Sequence, residues 1–170
     1  MKPPAFLKSL VPCLFLVLAA HGQTTEQAAP ARLTILGDVA SRLELDADDL
    51  AKMPRMTVTI PDPDGTKVAY EGVPLRDILK RAGAPAEKQL RGKALASYIL
   101  AKAHDGYQVV FTLAEMEPEF ADEPIVVADK RDGKPLFGYQ GPFRLICPND
   151  KAGARSVRML ESIEFVQLKK

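Results

Sequence analysis

The residues best suited to holding a small ligand lie near the C-terminus, where Arg144, Lys151, Arg155 and Arg158 surround the loop Asn149-Asp150-Lys151-Ala152-Gly153. Guanidinium groups flanking a loop of small residues suit an anion, or a polar heterocycle bearing acceptors. The same charges would also serve as a solvated loop and strand edge. A second grouping, Lys102-Ala103-His104-Asp105-Gly106-Tyr107, brings a histidine, a carboxylate and an aromatic ring to one turn. Turn chemistry accounts for Asp105, and packing at a strand start accounts for Tyr107.

Other chemistries lack their residues. Beyond residue 22 the chain has one cysteine, Cys147, and one histidine, His104, so no two of them stand at a metal-site spacing. Asp62 and Asp64 belong to a turn, and Asp48 and Asp49 to a helix start. Cys147 ends the apolar run Phe143-Arg144-Leu145-Ile146-Cys147 and reads as a small buried hydrophobe. There is no Gly-x-Ser-x-Gly elbow and no Gly-rich phosphate cradle.

Along the chain, Leu33, Ile35, Leu43 and Leu45 alternate around Gly37-Asp38 as two short strands. Asp46 caps a brief helix with Asp48 and Asp49 in its first turn, and Pro54 stops it. Met56 to Ile60 is a β-branched strand, and Pro61 to Gly65 turns it back into Lys67 to Tyr70. The clearest helix runs from Pro74 to Ala82, with Leu75, Ile78, Leu79 and Ala82 on one stripe and Gly83 and Pro85 beyond it. Ser97 to Ala103 and Tyr107 to Phe111 form a hairpin through Asp105-Gly106. Thr112 and Glu115 make a capping box for a short helix that ends at Pro118. Ile125 to Ala128 and Phe143 to Cys147 read as buried strands, Asp132-Gly133 as a turn, and the stretch around Ile163, Phe165 and Val166 as a last strand. Short strands broken by a few short helices give an α+β fold around a mixed sheet or barrel.

The first 22 residues read as a secretory signal peptide. Lys2 and Lys8 precede the apolar run Leu10 to Ala20, and Ala20-His21-Gly22 places cleavage before Gln23. That run falls short of the roughly 20 residues that span a bilayer. A lipidated Cys13 is rejected because Pro12 precedes it and most of the apolar run lies C-terminal to it. Residues 23–31 form a polar, alanine-rich leader, and 32–170 form one domain. After cleavage 148 residues remain, enough for one core. Their 21 basic and 22 acidic residues leave the chain near neutral, so bulk charge gives no case for nucleic acid. One cysteine cannot make an internal disulfide. The expected location is the periplasm.

Tyr70-Glu71-Gly72-Val73-Pro74-Leu75-Arg76-Asp77-Ile78-Leu79, Asp105-Gly106-Tyr107 and Gly141-Pro142-Phe143-Arg144-Leu145-Ile146-Cys147-Pro148 occur in this order, with Arg155 and Arg158 after them. The ordered set resembles the molybdopterin-binding domain of sulfite-oxidase-type oxidoreductases, from about Leu33 to Val166. The resemblance implies that fold, a compact mixed domain rich in β-structure. In enzymes of the family, a cysteine on the strand before the Val-Pro-Leu helix binds molybdenum through its thiolate. The corresponding stretch here, Thr57 to Asp64, contains none, and Cys147 does not match that position. The family's Lys and Trp are also absent from Ala154-Arg155-Ser156-Val157-Arg158.

The resemblance therefore points to a small exported, cysteine-less subset of the fold that binds a reduced pterin. Some of its members signal to the periplasmic domain of a membrane cyclic-di-GMP cyclase or phosphodiesterase. On that reading Arg144, Arg155 and Arg158, with Lys151 beside them, donate to the ligand. Tyr107 or Tyr139 is its wall, and Asp105 accepts from ring N–H groups. The alternative is a molybdopterin-dependent oxidoreductase, or a subunit of one, carrying the molybdenum cofactor on an atypical metal ligand.

Overall fold

A computed structural model describes residues 31–168 apart from 63 and 123. The expected signal peptide and nearly all of the leader lie outside the described residues. The first sheet has five strands: β1 (Leu33–Gly37), β2 (Leu43–Leu45), β5 (Tyr98–Ala103), β6 (Gln108–Thr112) and β10 (Leu160–Val166). Their order is β2-β1-β10-β5-β6, and the β1–β10 pair is parallel, with Ile35 opposite Ile163. The second sheet holds β3 (Met56–Pro61), β4 (Lys67–Pro74), β7 (Val126–Arg131), β8 (Lys134–Pro135) and β9 (Arg144–Ile146). Here β7 pairs with β4 along its length, with β9 over Val126–Ala128 and with β8 over Lys130–Arg131.

A closed barrel does not form. Each sheet keeps its own edges, and the two meet through side chains instead of a shared ladder. The larger core joins Leu33, Ile35, Ile99, Ile163 and Phe165 of the first sheet to Val73, Val127 and Leu145 of the second. A smaller cluster of Val58, Val68, Tyr70, Val126, Ala128, Leu136 and Ile146 covers the second sheet's other face. Neighbours on one strand therefore serve different cores. Val127 and Leu145 face the large one, while Val126, Ala128 and Ile146 face the small one, as a period of two requires.

Local signals hold where they rest on neighbouring residues. Helix α1 (Ala47–Ala51) has the full capping box, with Asp46 Oδ1 accepting from Asp49 N at 2.9 Å and Asp49 Oδ2 from Asp46 N at 3.4 Å. Helix α2 (Leu75–Arg81) buries Leu75, Ile78 and Leu79. Pro74 is its cap residue and the last residue of β4, so the helix starts one position later than expected. The Thr112–Glu115 box forms, with Thr112 N donating to Glu115 Oε2 at 2.7 Å, but it opens only a single 3-10 turn, Ala114–Met116. Pro118 leaves no room for more.

Candidate ligand-binding site

Arg158 is the centre of the basic region. It helps line a hollow of about 310 Å³ with Asp105, Tyr107, Gly153, Ala154 and Ser156. Two loops build this hollow. One is the β5–β6 hairpin, where Gly106 takes φ of 87° and Asp105 Oδ1 accepts from Tyr107 N at 3.0 Å. The other is the loop after β9, and Tyr107 Oη ties the two by donating to Ala154 O at 2.7 Å. Outside the hollow, the Arg158 guanidinium lies over the Tyr139 ring, 5.4 Å from its centroid. Tyr139 sits in the Gly138–Gln140 turn, well exposed.

Arg144 lies on β9, within reach of Arg158's field. Its residue is 7% exposed, and its guanidinium stands over the Tyr70 ring at 5.0 Å. Arg144 Nη1 donates to Tyr70 Oη at 2.7 Å and to Gln140 Oε1 at 2.6 Å, and both partners are neutral. Arg144 Nε is buried with no partner among the described residues. No carboxylate lies within ion-pair distance of it among the described residues; the nearby Asp62 is spent on Arg131 Nη2 at 2.5 Å. Burial lowers the Arg144 pKa, and the charges of Arg158 and Arg131 push the same way against Tyr70 and Asp62. An arginine stays charged all the same. The site is thus a buried cation without an anion.

The other expected residues fall elsewhere. Lys151 is exposed on the loop. Arg155 turns away from Arg158: its Nε and Nη2 grip Asp150 at 2.8 and 2.6 Å, and Nη1 reaches Glu115 at 2.8 Å. Its cation also stacks on Phe111 at 5.0 Å. The bonds to Asp150 and Glu115 raise the Arg155 pKa. For Glu115, burial pushes the pKa up, but the bonds from Arg155 and Thr112 outweigh it and the net direction is down. So Arg144, Arg158, Tyr139, Asp105 and Tyr107 gather on one side of the molecule, while Arg155 serves a different cavity. Sequence reasoning missed Gln140, Tyr70, Glu115 and Asp150 as polar partners; the local cues were Gln140 four positions before Arg144 and the carboxylate of Asp150 five positions before Arg155.

Cys147 comes just after β9 and faces the large core, opposite to Arg144. It is 5% exposed, its N–H donates to Ser156 Oγ at 3.1 Å, and burial pushes the thiol up to about 12. It therefore stays protonated and sits on the wrong face to join the arginines. The stretch from Thr57 to Asp64 carries no sulfur. Among the described residues no three His, Cys, Asp or Glu side chains converge as a metal-ligand group. For a molybdenum-bearing pterin, Arg144 and Arg158 are the cations that would meet its anionic part, and the Thr57 to Asp64 stretch supplies no thiolate.

The family pattern for the oxidoreductase molybdopterin binding domain matches residues 64–170. No curated protein matches the chain. Among solved structures, the sulfane dehydrogenase SoxCD from Paracoccus pantotrophus is similar, with a TM-score of 0.59 and 21% identity over 79% of this chain. The match spans only 38% of that chain, so the likeness concerns the fold of one part of a longer protein. With the ordered motifs, the two-sheet architecture and a pattern covering most of the described residues, the chain belongs to the oxidoreductase molybdopterin binding domain family.

Proposed function

We propose that this chain is a non-enzymatic binding protein for a pterin-type ligand carrying an anionic group, and that it offers no thiolate to a metal. One observation carries the reading: Arg144 keeps a full charge in a nearly closed site where its partners are neutral and its Nε is unbonded. Such a charge is costly unless an anion meets it. Arg158 stands beside it, and the exposed Tyr139 ring offers a flat face for a heterocycle. Asp105 uses Oδ1 on its own turn and has a second oxygen for ring N–H donors.

Family membership favours a second reading, a molybdopterin-dependent oxidoreductase or a subunit of one, whose metal would take its ligands from elsewhere. Producing the full chain in a bacterium that makes the molybdenum cofactor, then measuring metal and extractable pterin per chain, separates the two. The proposal expects a fluorescent pterin and no molybdenum. Stoichiometric molybdenum would establish the second reading, and no pterin together with no binding of reduced pterins would end both. Export to the periplasm and signalling to the periplasmic domain of a membrane cyclic-di-GMP enzyme complete the proposal. Its check is capture of that domain by the purified chain with and without reduced pterin; capture in neither state rules the partner out.

A further inference from the structure

A polar groove is bordered by Glu115 to Asp122 and by Pro124, on the face of β9 that carries Cys147 and not Arg144. Its wide end is a cavity of about 480 Å³ that includes Phe120, Ile125, Cys147, Asp150 and Arg155. Its narrow end, about 80 Å³, shares Glu115, Ala121 and Asp122 with the wide end and adds Arg76 and Glu117. A further hollow of about 100 Å³ is lined by Arg76 and Glu117 together with Asp77, Lys80 and Glu87.

The narrow end holds two charged groups that do not satisfy each other. Glu117 is 6% exposed; its carboxylate oxygens reach the hollows, where Lys80 is the neighbouring cation, and they take no side-chain hydrogen bond among the described residues. Arg76 Nε is buried with no hydrogen-bond partner among the described residues, although the side chain as a whole is 38% exposed and pairs loosely with Asp77 at 3.7 Å. A buried N–H such as Arg76 Nε is rarely left without an acceptor. Arg76 and Glu117 line the same hollows without forming an ion pair of their own. That arrangement is complementary to a molecule bearing a cation and an anion a few ångströms apart.

The wide end sets the rest of the ligand. Arg155 is already tied by Asp150 and Glu115, so that wall is fixed and has no spare charge for an anion. Ile125 and Cys147 are buried and apolar, the thiol being neutral, and Phe120 is 56% exposed at the rim. Asp122 adds an exposed carboxylate between the two ends. We infer that the groove binds a free α-amino acid with an apolar side chain. Its carboxylate lies on Arg76, its ammonium lies on Glu117 and Asp122, and its side chain lies against Phe120 and Ile125. This site is independent of the pterin reading.

Titration calorimetry of the full chain with leucine and phenylalanine tests it, using N-acetyl-leucine and leucine methyl ester as probes lacking one charge each. Saturable binding of the zwitterions is expected, with each derivative weaker by about tenfold or more. Arg76→Met and Glu117→Gln are expected to weaken leucine by a similar factor, and Arg144→Met to leave it unchanged. Asp122→Asn changes an exposed group, so the fold survives, and it should weaken leucine several-fold. Circular dichroism shows which variants are folded. No saturable heat with either zwitterion, equal affinity for a derivative, or folded variants that bind like the parent would each overturn the inference.

Discussion

Arg144 is a side chain whose burial is costly for stability and which the proposed function gives a use in binding. Its charge is buried against neutral partners, so an apolar isostere removes a desolvation cost as well as two hydrogen bonds. Arg144→Met is expected to unfold within about 2 kcal/mol of the parent in urea while losing pterin affinity by about tenfold or more. A large loss of stability with binding intact would reverse that assignment. Cys147 is protected chemically as well as sterically. With the folded thiol pushed up to about 12 from 9.0, the thiolate fraction at pH 8 is lower by roughly a thousandfold, so a thiol reagent should label the unfolded chain far faster than the folded one. The folded state holds this proton more tightly than the unfolded state. Stability should therefore fall as pH rises from about 9 towards about 12, visible as a declining denaturation midpoint that Cys147→Ala flattens. Of the residues singled out from the sequence, Arg144, Arg158, Tyr107, Tyr139 and Asp105 lie on one side of the molecule. The place of Arg155 was not legible, because its Glu115 partner is 40 residues away and no local pattern announces it.

At the scale of elements, the second sheet depends on two contacts that no propensity describes. Arg55, on the segment before β3, reaches Asp129 on β7 through Nη1 at 3.1 Å and Nη2 at 2.5 Å, and Glu71 on β4 through Nε at 2.7 Å. One side chain thus holds three strands in register. Arg55→Ala leaves Asp129 buried without its cation and should cost about 3 kcal/mol, whereas Arg55→Met with Asp129→Leu should recover most of that. Gly72 is the second contact. It sits where β4 shifts register against β7, and a Cβ there would lie 2.0 Å from Val127 O. Gly72→Ala must push the strands apart, and a loss of about 3 kcal/mol in urea unfolding is expected. The helices, caps and turns could be read from the sequence because each depends on residues within four positions of one another. The Arg55 clamp could not, since its partners are 16 and 74 residues away.

For the whole molecule, the parallel β1–β10 pair matters most. It places β1 between β2 and β10, joining the earliest and latest strands of the domain. The family pattern begins at residue 64, after β1, β2, α1 and β3. A fragment starting there would lose the strand beside β10 and the one beside β4, uncovering Ile163, Phe165 and Tyr70, all at most 1% exposed. Calorimetry should show a cooperative melt for residues 32–170 and none for residues 64–170. The α+β class was legible from the density of short strands and turns. The two-sheet arrangement was not, because alternation reports which residues face inwards and is silent on which strands are neighbours. The alternation along β9 has one more consequence. Its ladder to β7, with Leu145 N bonded to Val157 O and Cys147 N to Ser156 Oγ, pins the strand from both sides. The Arg144 face and the Cys147 face therefore lie on opposite sides of a strand hydrogen-bonded along both edges. Free-energy changes made on the two faces should simply add, leaving each face deaf to the other.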